Sequence, residues 1–85
     1  MRILVLAPNR DWVECWREEN KIPRKVIQYI SNEKYARGLH DLPYVVLGFS
    51  PKNYYIKEIL HWGTCCEITT EQAKEMVNEY MHNAI

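Results

Sequence analysis

The chain has 85 residues and a mass of 10.2 kDa, with 11 basic and 11 acidic side chains that cancel to a net charge of zero. Hydrophobic residues make up 47% and charged ones 26%, a globular composition that excludes a disordered tail or a collagen-like chain. This length predicts one domain over residues 1–85, burying about 64% of its extended surface around one modest core. With no global surplus of Lys and Arg, generic coating of nucleic acid is not expected, which leaves a local basic patch as the alternative.

The residues Arg2 to Ala7, RILVLA, form a short, continuous apolar run stopped by Pro8 and Asn9. Such a run reads as a buried central strand of a parallel sheet covered on both faces. A helix is predicted from about Asp11 to Asn20, capped by Asn9 or Asp11, with Trp12, Val13 and Trp16 as its apolar stripe. Asn20 ends it and Pro23 cannot continue it. Lys25 to Ser31 contains VIQYI, a second strand. Ser31 to Gly38 is polar and fits one helical turn closed by Gly38. Tyr44 to Phe49, YVVLGF, is the third strand.

Ser50 and Pro51 resemble an N-cap and a first-turn proline. The helix they open runs to Trp62, with Tyr55, Ile56, Ile59 and Leu60 facing inward and Gly63 as its C′ stop. Cys65 to Thr69 fits a short fourth strand. Thr69 and Gln72 form a capping box before a last helix whose Ala73, Met76, Val77, Tyr80 and Met81 recur at helical spacing. Strands alternating with helices predict a small doubly wound α/β domain with a parallel sheet of three to four strands, of order 2-1-3-4 if all four form. A core this thin would gain from self-association, so a homo-oligomer is expected.

Ligands of open α/β sheets sit at the carboxyl ends of the strands, beside the point where strand order reverses. Three loops are predicted to meet there. They carry Asn9 and Arg10, then Ser31 and Arg37, then Ser50, Lys52, Asn53 and Tyr54. Each brings a cation and a short polar side chain, and two lead into helices whose first amides favour anions. Arg10, Arg37 and Lys52 on one rim would suit a phosphate-bearing ligand, with Trp12 or Tyr54 stacking on its base. The bland reading of the same residues is solvated loops.

Sharper motifs are absent. No G-x-x-x-x-G-K-S/T occurs, and the three glycines, Gly38, Gly48 and Gly63, cannot make a G-x-G-x-x-G fingerprint. No cofactor is therefore predicted. The strands do not end in the acidic residues of a phosphoacceptor domain. His61, Cys65 and Cys66 lack a fourth zinc ligand at ordinary spacing, which favours structural cysteines. Cys15 lies mid-helix, where packing is expected of it rather than nucleophilic chemistry. His40 beside Asp41 is the candidate general base, with a surface turn as the alternative. Trp12, Trp16 and Trp62 are assigned first to core packing and second to an aromatic interface.

Three unpaired cysteines fit a reducing, cytoplasmic setting. The apolar run Ile3 to Ala7, about five residues, is too short for a signal peptide or a membrane helix. No membrane partner is expected.

Tyr29-Ile30-Ser31, Ala36-Arg37-Gly38-Leu39 and Tyr44-Val45-Val46-Leu47-Gly48 resemble small phage-encoded α/β proteins. In pattern they look like a nucleotide-binding fold trimmed of its phosphate loop. The resemblance implies action in the host cytoplasm, either sequestering a nucleotide-derived immune signal or blocking a host defence protein. The resulting expectation is a non-catalytic protein that binds a phosphate-bearing nucleotide signal. The alternatives are a protein–protein inhibitor or adaptor, and then a small nucleotide hydrolase.

Overall fold

The computed structural model describes residues 1–83. Four strands form one fully parallel sheet: β1 (Ile3–Leu6), β2 (Ile27–Tyr29), β3 (Pro43–Val46) and β4 (Cys66–Glu67). Their order is β2-β1-β3-β4. Four helices connect or follow them: α1 (Arg10–Glu19), α2 (Glu33–Ala36), α3 (Pro51–Trp62) and α4 (Thr70–Asn83). A single 3₁₀ turn, Arg24–Val26, leads into β2. This is the doubly wound α/β arrangement predicted from the alternation of elements, a small scaffold of generic Rossmann-like kind.

The strand alternation explains the two layers. Side chains of a strand point to opposite faces in turn. Ile3, Val5, Ala7, Val45 and Leu47 pack on one face with Val13 of α1 and Ala73 and Val77 of α4. Leu4, Leu6 and Tyr44 pack on the other with Ala36 of α2 and Ile56, Ile59 and Leu60 of α3. Both faces of β1 are covered, which is why its sequence is apolar without interruption.

The helix ends follow local chemistry. Asn9 adopts extended backbone and its Oδ1 accepts the Trp12 amide at 3.3 Å, capping α1. Asn32 caps α2 in the same way, accepting from Lys34 at 3.0 Å. The predicted capping box is present in both directions: the Thr69 amide donates to Gln72 Oε1 at 2.9 Å and the Gln72 amide to Thr69 Oγ1 at 3.0 Å. Ser50 makes no such bond, so α3 opens without a side-chain cap.

Gly63 does not supply the left-handed stop of α3. Its φ is −94°, and the left-handed residue is Thr64 at φ 57°. The amides of Thr64 and Cys65 donate to the carbonyls of His61 and Leu60, both at 3.0 Å, the bond pair of a left-handed helix cap. Gly63 is required for another reason: a Cβ there would run into the Leu39 carbonyl. Helix α1 ends alike, with Lys21 at φ 54° and the Ile22 amide donating to the Arg17 carbonyl at 2.9 Å.

Several packing expectations are corrected. Tyr55 is 62% exposed. The inward stripe of α3 is instead Asn53, Ile56, Ile59 and Leu60, because a helix face repeats at three and four residues. None of the tryptophans is a core residue: Trp12 and Trp62 are exposed, and Trp16 is partly buried at the margin of the first core. Cys15 and Cys66 are exposed, and only Cys65 is buried. Of the segment Cys65 to Thr69, only Cys66–Glu67 pairs as a strand, beside Pro43 and Tyr44. Among the described residues no helix is long and apolar enough to cross a membrane.

Candidate functional site

The strand order reverses between β1 and β3, since the chain winds from β1 outward to β2 and from β3 outward to β4. A groove of about 610 Å³ opens there, at the carboxyl ends of both strands. Helix α1 lines it from the Asn9 cap to Glu19, through Asp11, Trp12, Cys15 and Trp16. Val46, Leu47 and Gly48 contribute from the end of β3, and Thr70 from the first turn of α4. Gly48 has φ 68°, and a Cβ there would stand 2.9 Å from the Trp12 ring. The indole therefore lies directly against the backbone of the loop after β3.

The groove is aromatic and acidic. Its ionisable lining is Asp11, Cys15 and Glu19, and no Lys, Arg or His lines it. Two helix N-termini approach it, and each already commits an amide to a side-chain cap. Asn9 occupies the Trp12 amide, and the Thr69–Gln72 box occupies the start of α4. Such a surface favours flat rings, N–H donors and positive charge over a free anion.

The predicted rim residues do not gather in one place. Asn9 and Trp12 line the groove. Arg10 points away from it, its guanidinium 5.5 Å from the centre of the Tyr29 ring on β2. Ser31 follows β2 and lines neither the groove nor the smaller hollows around it. Ser50, Asn53 and Tyr54 share a smaller hollow of about 110 Å³ with Phe49 and Lys57. Lys52 faces a third, of about 210 Å³, beside Asn32, Glu33 and Tyr55. Arg37 lies past the end of α2, in a hollow of about 240 Å³ with Leu39, His40, Trp62 and Gly63. That hollow adjoins the end of α3, so Arg37 is remote from the switch point. The three cations of the expected rim are thus dispersed.

The small hollow and the groove are neighbours, since Val46 and Gly48 line both. Phe49 and Tyr54 meet edge to face across 5.8 Å on its outer side. Asn53 is 3% exposed, and no protein atom bonds its Nδ2 or its Oδ1. Lys57 Nζ lies 3.0 Å from Glu67 Oε1.

His40 and Asp41 belong to the far end of the molecule. The Thr64 hydroxyl donates to the Asp41 carboxylate, and the Asp41 amide donates to the Gly63 carbonyl at 2.9 Å. These bonds tie the loop before β3 to the end of α3 and give Asp41 a structural task. His61 shares a hydrogen bond of 2.6 Å with the Tyr44 hydroxyl. Burial, then the nearby Glu67 carboxylate, push the Tyr44 phenol up to about 12. Among the described residues no three His, Cys, Asp or Glu side chains gather as a metal site.

Trp16, Cys15 and Glu19 line the groove although no sequence motif assigns them to a site, and Asp11 joins them from the first turn of α1. Asp11, Cys15 and Glu19 share a helix flank at four-residue spacing, and that spacing was the available signal. No motif assigns Lys57 either, one turn beyond Asn53. No protein-family model, curated protein or solved structure matches this chain.

Proposed function

We propose that the chain is a non-catalytic binding protein whose switch-point groove takes a flat nitrogen-bearing ring, the nucleobase of a nucleoside-like molecule. The observation that carries this reading is the groove itself. It lies where open α/β sheets hold ligands, its volume suits a small molecule, and its walls pair indoles with carboxylates. Trp12 and Trp16 offer stacking surface, an interaction of about 1–3 kcal/mol per base. Asp11 and Glu19 accept hydrogen bonds from ring N–H groups. The base end of the ligand is what the groove recognises, and sequestration of a nucleotide-derived signal is the role that fits such a binder.

Nucleosides should raise the melting temperature, because ligand binding to the native state stabilises it by mass action. They should quench tryptophan fluorescence and be recovered unchanged by mass analysis. Asp11→Asn with Glu19→Gln should weaken binding about tenfold, a loss of about 1.4 kcal/mol. A panel of nucleosides that moves neither signal refutes the reading, and a chemically altered ligand makes the protein an enzyme.

A protein partner is the second reading. It is favoured by Trp62, 73% exposed at the opposite end of the molecule, since tryptophan is the residue type most often found anchoring interfaces. Trp62→Ala should then abolish partner binding and leave nucleoside binding intact.

A further inference from the structure

Among the described residues, Asn53 is the one buried polar side chain. It stands on the inward stripe of α3, in series with Ile56, Ile59 and Leu60. Neither its amide nitrogen nor its carbonyl oxygen meets a protein partner. An aliphatic residue would fill the same position without that cost. The side chain lines the small hollow at the start of α3, a helix of 12 residues. The Ser50 hydroxyl caps nothing there, Pro51 has no amide hydrogen, and the positive end of the helix dipole faces the same space. Lys57 is the cation of this hollow, half-buried and shared with Glu67 at 3.0 Å.

We infer that this hollow is a phosphoryl subsite, in which Asn53 Nδ2, the Ser50 hydroxyl and Lys57 hold the phosphate of a phosphorylated nucleoside. The inference rests on the groove reading and extends it. Val46 and Gly48 border both spaces, and the Trp12 ring lies against Gly48 at their boundary. A ligand crossing Gly48 places its ring on the acidic, aromatic side and its phosphate on the cationic side. Asn53 Oδ1 accepts from the hydroxyl of a singly protonated phosphate. The phosphoryl group competes with Glu67 for Lys57, so the pair loosens on binding. A free phosphate ion offers the same chemistry as the monoester.

The test titrates the whole chain with nucleosides, their 5′-monophosphates and inorganic phosphate alone. Tryptophan quenching reports the groove, and the side-chain ¹⁵N–¹H signals of Asn53 report the hollow. Monophosphates should bind about tenfold tighter than their parent nucleosides, and Asn53→Leu should erase that gain while nucleoside affinity stays unchanged. Lys57→Gln should reduce it in part. Inorganic phosphate alone should move the Asn53 signals. Equal affinity for nucleoside and monophosphate, or a gain that survives in Asn53→Leu, overturns the subsite and leaves the groove reading standing. Asn53 signals that move with inorganic phosphate while no nucleoside quenches fluorescence support the subsite and overturn the groove. Silence in both signals overturns both.

Discussion

Replacing Asn53 with leucine should make the protein more stable. The side chain is 3% exposed and both its polar atoms lack protein partners. Removing an orphaned buried amide recovers about 1–3 kcal/mol. Leucine has the same branched four-atom skeleton with bulkier ends, and the adjoining hollow of about 110 Å³ gives its methyl groups room to settle. Its neighbours on the stripe are Ile56, Ile59 and Leu60, so the new methyl groups join an existing apolar row. The rotamer entropy lost on burial differs little between the two residues. For a domain of this length each kcal/mol moves Tm by about 4–8 °C. Urea denaturation should show a higher midpoint with an unchanged slope, which separates a stability gain from a change in the unfolded state. A midpoint at or below that of the wild type would refute the reasoning, because it would mean that Asn53 is satisfied in solution.

Lys21→Gly should stabilise the end of α1 by about 1 kcal/mol, read from the same denaturation curves, because Lys21 holds φ 54° where glycine is unstrained. Gly48→Ala should do the reverse. Its φ of 68° and the 2.9 Å approach to Trp12 together predict a loss of about 1–2 kcal/mol and a shifted tryptophan emission, with nucleoside binding weakened as the indole is displaced. At alkaline pH, ultraviolet titration should find a tyrosine ionising near 12, and Tyr44→Phe should remove that step. Its folded value lies above the ordinary 10. The stabilisation is therefore complete below about pH 10 and is lost as pH rises through about 12.

Much of the fold was legible because its signals are local. β1 is apolar at every position since both its faces are covered, and its four-residue length suits a strand rather than a helix. The Thr69–Gln72 box and the Asn9 cap are spacing rules within one turn. The site was legible only in its location. Asn9 and Trp12 reach the groove, but Arg37 does not, because one turn of α2 already carries the chain away from the carboxyl ends of the strands. Arg10 turns to the Tyr29 face, a contact 19 positions along the chain that no periodicity encodes. Asn53 and Tyr55 exchanged their expected positions since composition assigns the aromatic inward, whereas helix geometry places 53, 56 and 60 on one face. Trp12 and Trp62 stay outside and Trp16 reaches only the margin, because core layers this thin have few positions large enough to enclose an indole.

The two margins of the sheet are its shortest strands, three residues in β2 and two in β4. A margin of that length offers few free backbone donors and acceptors to a neighbouring chain, and so gives a poor template for growth by strand addition. This matters for a molecule with no net charge, since mutual repulsion does little to keep copies apart. Brevity at the margins takes over that protective task. A second copy approaching either margin therefore meets side chains rather than a long row of unpaired backbone groups.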